Sequence, residues 1–485
     1  MIGTGHVMRC LAIAQAWKRA RGEAEFVLVG DAPGIADRLV AEGFPLRQLP
    51  RGQEFQKIAA GCPASAVAVL DGYGFGRSEQ ETLLAAGLRV LFLDDYGHAD
   101  HYSATWVLNS QPYGEEQNYA RREPETRLLL GPAYTLLREE FLPWIGWRRS
   151  VAERPSTILV TMGGSDANNA SLNVVNSLAS SGHPDIEVVL VIGSSNPHRE
   201  KLQQAANQYP GRIRTVHNVS NMPELMASAD IVVAAAGGTS CELAYMGAPA
   251  ILFVAAENQR RIAEHLHELG VAINAGVTNS FDHDRFAGQL YSLLESQMKR
   301  QQMSDRGRSL IDGLGADRVG GIISGRELQL RRAQKTDCKL LFEWANDPVT
   351  RMVSFHTAPI SWEEHTRWFN GRLEDSQHVL YVGEHDGRAI GQVRFEVEGD
   401  KAVLSINVAP EIRGEGWGSD LLRLSIRTFA RASAVGRIDA LVKPDNSPSV
   451  RLFEKSGFRV VDAEAIEDQP AVRFSWECKI RDHAK

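Results

Sequence analysis

The sequence predicts an α/β protein with two doubly wound, Rossmann-like domains followed by a smaller α/β domain of a different kind. Three observations predict this architecture. The chain has 485 residues, enough for about three domains of ordinary size. Short apolar runs alternate with helical patterns over the first two-thirds of the chain. Beyond residue 325 this alternation gives way to a meander of closely spaced strands.

Composition and charge are those of an ordinary globular protein. Apolar residues make up 43% of the chain and charged residues 23%, so each domain can bury a core of its own. The net charge of −7 favours neither nucleic acid nor an anionic membrane, and no apolar run approaches the ~20 residues that span a bilayer. The first ten residues lack a signal-peptide pattern, and the five cysteines form no C-x-x-C pair. We therefore expect a cytoplasmic protein without a nucleic-acid or membrane partner.

The two doubly wound domains are predicted over residues 1–145 and 146–325. Apolar runs without strict alternation are typical of strands that are covered on both faces. They lie at 25–30, 66–71, 90–94, 106–109 and 128–131 in the first domain, and at 157–162, 187–192, 212–217, 231–235 and 249–254 in the second. Helical patterns separate the strands, so both sheets should be parallel. Two such domains on either side of a cleft form the GT-B arrangement.

The third domain is predicted over residues 326–485. A strand and a helix come first, antiparallel strands joined by glycine-containing turns follow, and a glycine-rich turn leads into a further helix. The predicted strands are 326–331, 379–384, 389–398 and 401–408, and the predicted helices are 335–346 and 419–432. This order of elements indicates a separate α/β fold.

A glycine-containing loop near the start of the chain, Gly3-Thr4-Gly5-His6, leads into an apolar helical stretch. Glycines let a backbone approach a ligand closely, and the N–H groups at a helix start favour negative charge. His6 would face the cleft between the two domains, where an imidazole can act as a base near neutral pH. The alternative interpretation makes His6 an ordinary helix-capping residue.

Glycine-rich turns also follow strands of the second domain, at 163–166 and 237–242, and Asn258 and Gln259 follow the next strand. Because the carboxyl ends of parallel strands meet at one edge of a sheet, three such turns suit a nucleotide diphosphate. Glu242, near a helix start, would accept hydrogen bonds from ribose hydroxyls. Each turn taken alone is equally compatible with an ordinary connection.

Together with Asp94-Asp95 and the phrase L-G-P…L-R at 130–138, these motifs resemble the UDP-sugar hydrolase family of pseudaminic acid biosynthesis. The resemblance covers the first two domains. It implies that water displaces UDP from a 2,4-diacetamido-2,4,6-trideoxy-altrose, with His6 as the base that activates the water. It also implies a set of substrate-binding residues: Gly5, Arg9, Gly164, Ser165, Gly238, Thr239, Ser240, Glu242, Asn258 and Gln259.

One departure from that family concerns the opening loop. Family chains carry a full strand before it, whereas only Met1 and Ile2 precede it here. We therefore expect a first sheet that lacks its central strand, and a poorly anchored loop.

A metal site is the rival interpretation of the segment 94–101, which supplies carboxylates and imidazoles. These are the ligand types of a hydrolytic metal, but their spacing matches no dedicated motif. We expect no metal there.

In the third domain, an R-x-x-G-x-G segment at 413–418 joins a predicted strand to a predicted helix. Such glycines leave backbone N–H groups free to bind a pyrophosphate. This segment and a second one at 446–458 resemble GNAT acetyltransferases, which implies acetyl-CoA as cosubstrate. The implied cofactor-binding residues are Val408, Arg413, Gly414, Gly416, Gly418, Ser419 and Asn446.

The phrase S-F-x-x-x-P-I at 354–360, followed by His365 and Trp368, resembles the acetyltransferase of the same pathway. That enzyme acts on the 4-amine of a UDP-amino sugar. For His356, His365 and Trp368, packing against the meander is an equal alternative.

Many GNAT enzymes carry a tyrosine at the position of Phe453, and its phenol protonates the departing thiolate. Phe453 cannot supply that proton, although backbone dipoles still polarise the thioester. Glu396 and His356 are the candidate bases for the amine.

Both resemblances predict one bifunctional enzyme of nucleotide-sugar metabolism, in which N-acetylation of a UDP-amino sugar precedes hydrolytic release of UDP. The alternative is a GT-B glycosyltransferase that uses a UDP-sugar and carries a CoA-binding regulatory or inactive GNAT domain. A legionaminic or bacillosamine type of sugar is equally compatible with these motifs, and the sequence does not define an oligomeric state.

Overall fold

The computed structural model describes residues 4–29, 33–49, 55, 58, 61–63, 65–217, 219–466 and 469–477. Gly3 of the opening loop and Cys478 lie outside the described residues. The chain forms two compact units: Met1–Leu142 with Arg149–Ile323, and Pro143–Arg148 with Ser324–Lys485. The first unit contains both predicted doubly wound domains, while the limits predicted for the three separate domains stay predictions.

In the described residues of the first half of the first unit there are six short parallel strands and three α-helices. Apolar side chains make the strands, and the helices connect them on either side as in other doubly wound folds. The strands are β1 Phe26–Val29, β2 Leu46–Leu49, β3 Val67–Asp71, β4 Arg89–Leu93, β5 Trp106–Asn109 and β6 Arg127–Leu130, and the helices are α1 Thr4–Arg19, α2 Pro33–Ala41 and α3 Arg77–Ala85.

These six strands form two sheets instead of one. Within the described residues, β1 pairs with β2 alone, while β3 begins a four-stranded sheet in the order β3-β4-β5-β6. The apolar face of α1 contacts both: Val7 and Leu11 pack with Phe26 of β1, whereas Ile13 packs with Leu91 of β4.

The second half of the first unit is a six-stranded parallel sheet in the order β12-β11-β10-β7-β8-β9, covered by helices. Its central strands are buried throughout, as expected for a parallel sheet with helices on both faces. The strands are β7 Thr157–Thr161, β8 Glu187–Ile192, β9 Arg212–His217, β10 Ile231–Ala235, β11 Ala250–Val254 and β12 Ala272–Val277. The helices are α4 Ala170–Ala179, α5 Arg199–Asn207, α6 Met222–Ser228, α7 Thr239–Tyr245, α8 Arg260–Glu268, α9 His283–Leu294 and α10 Gln297–Leu310, and α11 Gly315–Ser324 comes after them in the chain.

Helix α11 follows the second half in the chain but packs on the first. Val319 and Ile323 join the cluster that contains Ile13 of α1 and Leu93 of β4. Gly315 begins this helix against the backbone of the first half, since a Cβ at that position would lie 2.2 Å from the Thr135 carbonyl oxygen. The close approach therefore requires glycine.

The second unit is built on a seven-stranded sheet in the order β13-β14-β15-β16-β17-β19-β18. Its strands are β13 Gln329–Arg332, β14 His378–His385, β15 Arg388–Glu398, β16 Lys401–Val408, β17 Arg437–Val442, β18 Arg459–Ile466 and β19 Gln469–Glu477. Its helices are α12 Cys338–Ala345, α13 Pro348–Val353, α14 Trp362–Glu374, α15 Trp417–Ala432 and α16 Ser447–Lys455. Phe395 of β15 stacks on Phe429 of α15 with ring centroids 4.0 Å apart, and both are fully buried.

The predicted fold class is confirmed: parallel, helix-covered sheets precede a mostly antiparallel α/β unit. Every predicted strand is present, with ends shifted by up to three residues. Within the described part of the chain, no helix is both long and apolar enough to cross a membrane.

Replacing Gly315 by alanine should destabilise the first unit by ~1–3 kcal/mol, the usual cost of overpacking, because its Cβ would meet backbone that cannot move freely. Chemical unfolding of both variants measures this. Gly288→Ala is the matched control, since Gly288 lies in α9 with nothing within 4 Å, and that change should stabilise the protein slightly. Equal stability of the two variants would contradict the close contact.

Candidate functional site

A cleft of about 1900 Å³ in the first unit is lined by residues of both halves. It contains the end of α1 that carries His6 and the glycine turns of the second half, and it continues inward between β1 and β3. The predicted substrate-binding residues line it with one exception. They are Gly5, Arg9, Gly164, Ser165, Gly238, Thr239, Glu242, Asn258 and Gln259.

Ser240 is the exception. It lies in the first turn of α7 with only 2% of its surface exposed, it does not line the cleft, and its Oγ has no partner among the described residues. The local motif predicted that this stretch reaches the cleft, but not which side of the helix faces it. The roles of all these residues as ligands stay predictions.

His6 and Arg9, one helical turn apart on α1, share a partner at the end of β3. His6 Nδ1 lies 2.6 Å from Asp71 Oδ1, and Arg9 Nε donates to Asp71 Oδ2 at 3.0 Å. Arg9 also donates to Asp95 in the loop after β4. The described part of the opening loop is therefore firmly anchored, so the prediction of a poorly anchored loop is wrong. His6 is also more than a helix cap, because its ring bonds a residue of a distant strand.

Charge pairing sets the ionisation of this cluster. Burial alone lowers the pKa of Arg9, but Asp71 and Asp95 outweigh it and raise that pKa well above its usual value. Burial alone raises the pKa of Asp95, but Arg9 holds it below its usual value. Both groups therefore remain charged in the cleft wall.

Tyr73 connects this cluster to the second half across the cleft. Its hydroxyl donates to Asp95 Oδ2 and accepts from Asn258 Nδ2, both at 2.8 Å. Its ring also meets the His6 ring edge-on, with centroids 4.6 Å apart. The two halves therefore meet beside His6 through hydrogen bonds.

The backbone of the glycine turn after β7 has a conformation that would let a ligand approach it closely. Gly163 has φ +82°, and Asp166 caps the next helix by accepting from Ala170 N and Ser171 N. Asp166 itself has φ +41°, a conformation that L residues seldom adopt. Such strain is typical of functional loops.

Glu242 does not have the free carboxylate that the ribose prediction assumed. Arg138 of the first half lies 2.8 Å from Glu242 Oε1 and also donates to Glu140. Burial raises the pKa of Glu242 against the opposing effect of Arg138. Ribose hydroxyls would have to share this carboxylate with Arg138.

In the segment 94–101, which was the alternative candidate for a metal site, the two carboxylates already have hydrogen-bond partners within the protein. Asp94 accepts from the backbone N–H groups of residues 95–97 and from Tyr102 and His98 side chains at 2.6 and 2.8 Å. Asp95 holds Arg9. Among the residues that the structure describes, no group of three or more potential ligands is placed to hold a metal ion.

In the second unit, the R-x-x-G-x-G segment connects β16 to α15. Gly414 and Gly416 have φ +86° and +89°, which only glycine adopts readily, and Gly418 and Ser419 begin the helix. Arg413 does not point freely from this turn: it bonds Asp347 Oδ1 at 2.5 Å and Thr350 Oγ1 at 2.8 Å. The backbone of the turn, more than the guanidinium, is available to an anion.

The strands next to this turn diverge. Pairing between β16 and β17 runs from Lys401–Arg437 to Leu404–Ala440 and then stops, although β16 continues to Val408 and β17 to Val442. The wedge between these strand ends leads to the R-x-x-G-x-G turn. Sequence patterns gave no sign of this wedge, because it depends on pairing between distant strands.

Two further predicted residues have structural partners. Asn446 caps α16 by accepting from Ser449 N at 3.3 Å. Phe453 is 3% exposed and packs against Phe458 and Phe474, so this position contributes to the core.

The candidate bases of the second unit differ in their surroundings. Glu396 is partly exposed and lies 3.3 Å from His378 Nε2. His365 is buried, its Nε2 lies 3.1 Å from the Cys338 carbonyl oxygen, and aromatic rings including Trp368 surround it. For His365 the packing interpretation therefore describes its position. His356 contributes its carbonyl oxygen to Arg351.

Sequence reasoning missed Asp71, Tyr73 and Arg138 as members of the cleft. Asp71 carried a usable signal, since a carboxylate that ends an apolar parallel strand lies at the ligand-binding edge of the sheet.

Comparisons with known proteins agree with this division of the chain. Residues 157–313 match the Glycosyltransferase family 28 C-terminal domain, and residues 327–459 match the Acetyltransferase (GNAT) domain. Uncharacterized protein MJ1062 of Methanocaldococcus jannaschii is 21% identical over 94% of each chain.

Two Bacillus subtilis relatives match one part each. Spore coat polysaccharide biosynthesis protein SpsG is 27% identical over 48% of this chain and 68% of its own. Putative phosphinothricin acetyltransferase YwnH is 32% identical over 27% of this chain and 83% of its own.

The protein is therefore an enzyme in which a nucleotide-sugar glycosyltransferase-like region is fused to an acetyltransferase domain. Through its second unit it belongs to the GNAT acetyltransferase family.

The Asp94 network predicts a defined pH dependence. Burial raises the pKa of Asp94, but hydrogen bonds from His98 and Tyr102 outweigh it and hold the pKa at about 2. A carboxyl whose pKa is lowered on folding stabilises the protein above its unfolded pKa of about 4 and loses that effect as the pH falls towards 2. Wild type should thus exceed Asp94→Asn by ~2 kcal/mol at pH 6, with the difference vanishing near pH 2.

Chemical unfolding between pH 2 and 6 measures this difference. The matched control is Asp100→Asn, which removes an exposed carboxylate from the same loop. A constant difference for Asp94→Asn over the whole range would contradict the assigned role.

Proposed function

We propose that the protein is a bifunctional nucleotide-sugar enzyme of pseudaminic or related nonulosonic acid biosynthesis. The second unit transfers an acetyl group from acetyl-CoA to the 4-amine of a UDP-amino sugar. The cleft of the first unit then releases UDP from the diacetamido sugar by hydrolysis. The observation that carries the proposal is the position of His6, bonded to Asp71 in the same cleft as the glycine turns of the second half.

The cleft has the parts that hydrolysis of a UDP-sugar requires. Backbone N–H groups of glycine turns and helix starts bind a diphosphate, and here they lie at the carboxyl ends of β7 and β10. An imidazole in the opposite wall takes a proton from water at neutral pH. In this step the same N–H groups would stabilise the negative charge that develops on the departing UDP.

The second unit has the parts that acetyl transfer requires. The turn at Gly414 and Gly416 suits the pyrophosphate of CoA, and the wedge beside β16 suits the extended pantetheine arm. Residues that match the Acetyltransferase (GNAT) domain supply both features. Acetyl-CoA is therefore the proposed cosubstrate.

A glycosyltransferase remains the second candidate for the first unit, and the match to the Glycosyltransferase family 28 C-terminal domain favours it. Folds do not determine reactions, and both enzymes would bind the UDP-sugar alike. They differ in whether water or a hydroxyl of an acceptor attacks the sugar.

His6→Ala should abolish release of UDP without affecting release of CoA. The protein is incubated with acetyl-CoA and a UDP-4-amino sugar, and CoA, UDP and free sugar are followed by mass spectrometry. Loss of a general base costs ~10²–10⁴ in rate, so UDP should appear at least ~100-fold more slowly.

His101→Ala is the matched control, because His101 does not line the cleft and bonds Glu123 instead. Release of UDP only when a sugar acceptor is added would favour glycosyl transfer. Unchanged UDP release by His6→Ala would remove His6 from the reaction.

Gly416→Ala should weaken CoA binding about tenfold, because a left-handed conformation costs an L residue ~1–2 kcal/mol and distorts the turn. Calorimetric titration with CoA measures the affinity. Gly371→Ala is the control, since Gly371 lies within α14 with nothing within 4 Å. Equal affinity of the two variants would show that this turn does not bind CoA.

A further inference from the structure

The His6 ring is held at one nitrogen by a carboxylate that is sealed from water. Asp71 is the last residue of β3, and its side chain is 1% exposed, against 15% for His6. The 2.6 Å contact joins His6 Nδ1 to Asp71 Oδ1. The other ring nitrogen, Nε2, is not part of this contact.

His6 Nδ1 has two neighbours, the Asp71 carboxylate and the Arg9 guanidinium, and it can donate only to the first or accept only from the second. Arg9 Nη2 lies 3.0 Å from His6 Nδ1 and 2.7 Å from Asp71 Oδ1. An ionised carboxylate offers only lone pairs, so a 2.6 Å contact with it requires the proton to sit on Nδ1. Arg9 then donates its Nη2 hydrogen to Asp71, and the neutral ring keeps its lone pair on Nε2.

The buried charges beside the ring do not balance. One guanidinium, Arg9, is shared between two carboxylates, Asp71 and Asp95, so the buried set carries a net negative charge. The imidazolium that forms when His6 accepts a proton would be stabilised by the Asp71 carboxylate that it already contacts.

We propose that Asp71 is the positioning residue of His6, which fixes the Nδ1–H tautomer and stabilises the imidazolium of the reaction. This inference rests on the proposed hydrolysis. In that step Nε2 of His6 takes a proton from water while the water oxygen bonds to the anomeric carbon. The bond from that carbon to the β-phosphate oxygen breaks, and its electron pair leaves with UDP. In this step the transferred proton stays on His6, and Asp71 accepts the Nδ1–H hydrogen bond.

The first test is a double-mutant cycle with Asp71→Asn and His6→Ala. Asparagine keeps the shape of the side chain but no longer requires the proton on Nδ1. We expect kcat for UDP release to fall at least ~100-fold in Asp71→Asn, with KM and calorimetric UDP affinity within about threefold of wild type. The double variant should match His6→Ala alone, because Asp71 acts through His6.

Full additivity of the two losses would overturn the proposal, since it would mean that Asp71 supports the cleft independently of His6. A matching loss of UDP affinity in Asp71→Asn would overturn it too, because it would indicate a general disturbance of the cleft. Asp100→Asn, an exposed carboxylate after the next strand, is the control for the loss of one charge.

The second test does not depend on turnover. Nitrogen-15 NMR of the imidazole groups, with the His6 signals assigned by comparison with His6→Gln, reports which nitrogen carries the proton. We expect an Nδ1–H tautomer in wild type and a mixture in Asp71→Asn. A wild-type ring protonated on Nε2 overturns the inference whatever the activity. An intact Nδ1–H tautomer without UDP release counts against the proposed hydrolysis and supports the positioning by Asp71.

Discussion

The first unit depends on one buried ion-pair network, in which the Arg9 guanidinium lies between the carboxylates of Asp71 and Asp95. Burial of three charges is costly unless each is paired and hydrogen-bonded, and here each is. Because Arg9 belongs to α1 and the carboxylates follow β3 and β4, the network fixes the start of α1 to the ligand-binding edge of the sheet. The two separate sheets of this half are thereby held in one arrangement.

This network also extends across the cleft. The Tyr73 hydroxyl donates a hydrogen bond to Asp95 of the first half and accepts one from Asn258 of the second. Arg138 of the first half forms an ion pair with Glu242 of the second. These four side chains, Tyr73, Asn258, Arg138 and Glu242, also line the cleft, so a ligand bound there would meet them. A ligand bound in the cleft would therefore meet hydrogen bonds that already join its two walls.

Local patterns predicted most of the strands, because apolar runs and glycine turns are local properties of the chain. They missed five: β2, where Arg47 and Gln48 interrupt the apolar run, β12, where Asn274 and Gly276 do, and the last three strands of the second unit, β17, β18 and β19. The contact between His6 and Asp71 joins residues 65 positions apart, and no local motif encodes it. Likewise, the glycine motif of α7 reached the cleft as predicted, while the side that Ser240 faces depends on the packing of that helix.

Because of helix α11, the core of the first half is completed last, by residues that follow the second half in the chain. Its apolar face closes the core of the first half, yet it is synthesised after the whole second half. During translation, the apolar surface of Ile13 and Leu93 is covered only after Val319 and Ile323 have been synthesised. The first half therefore cannot bury this apolar face until the chain has been made to Ile323, and the face stays exposed in a shorter nascent chain.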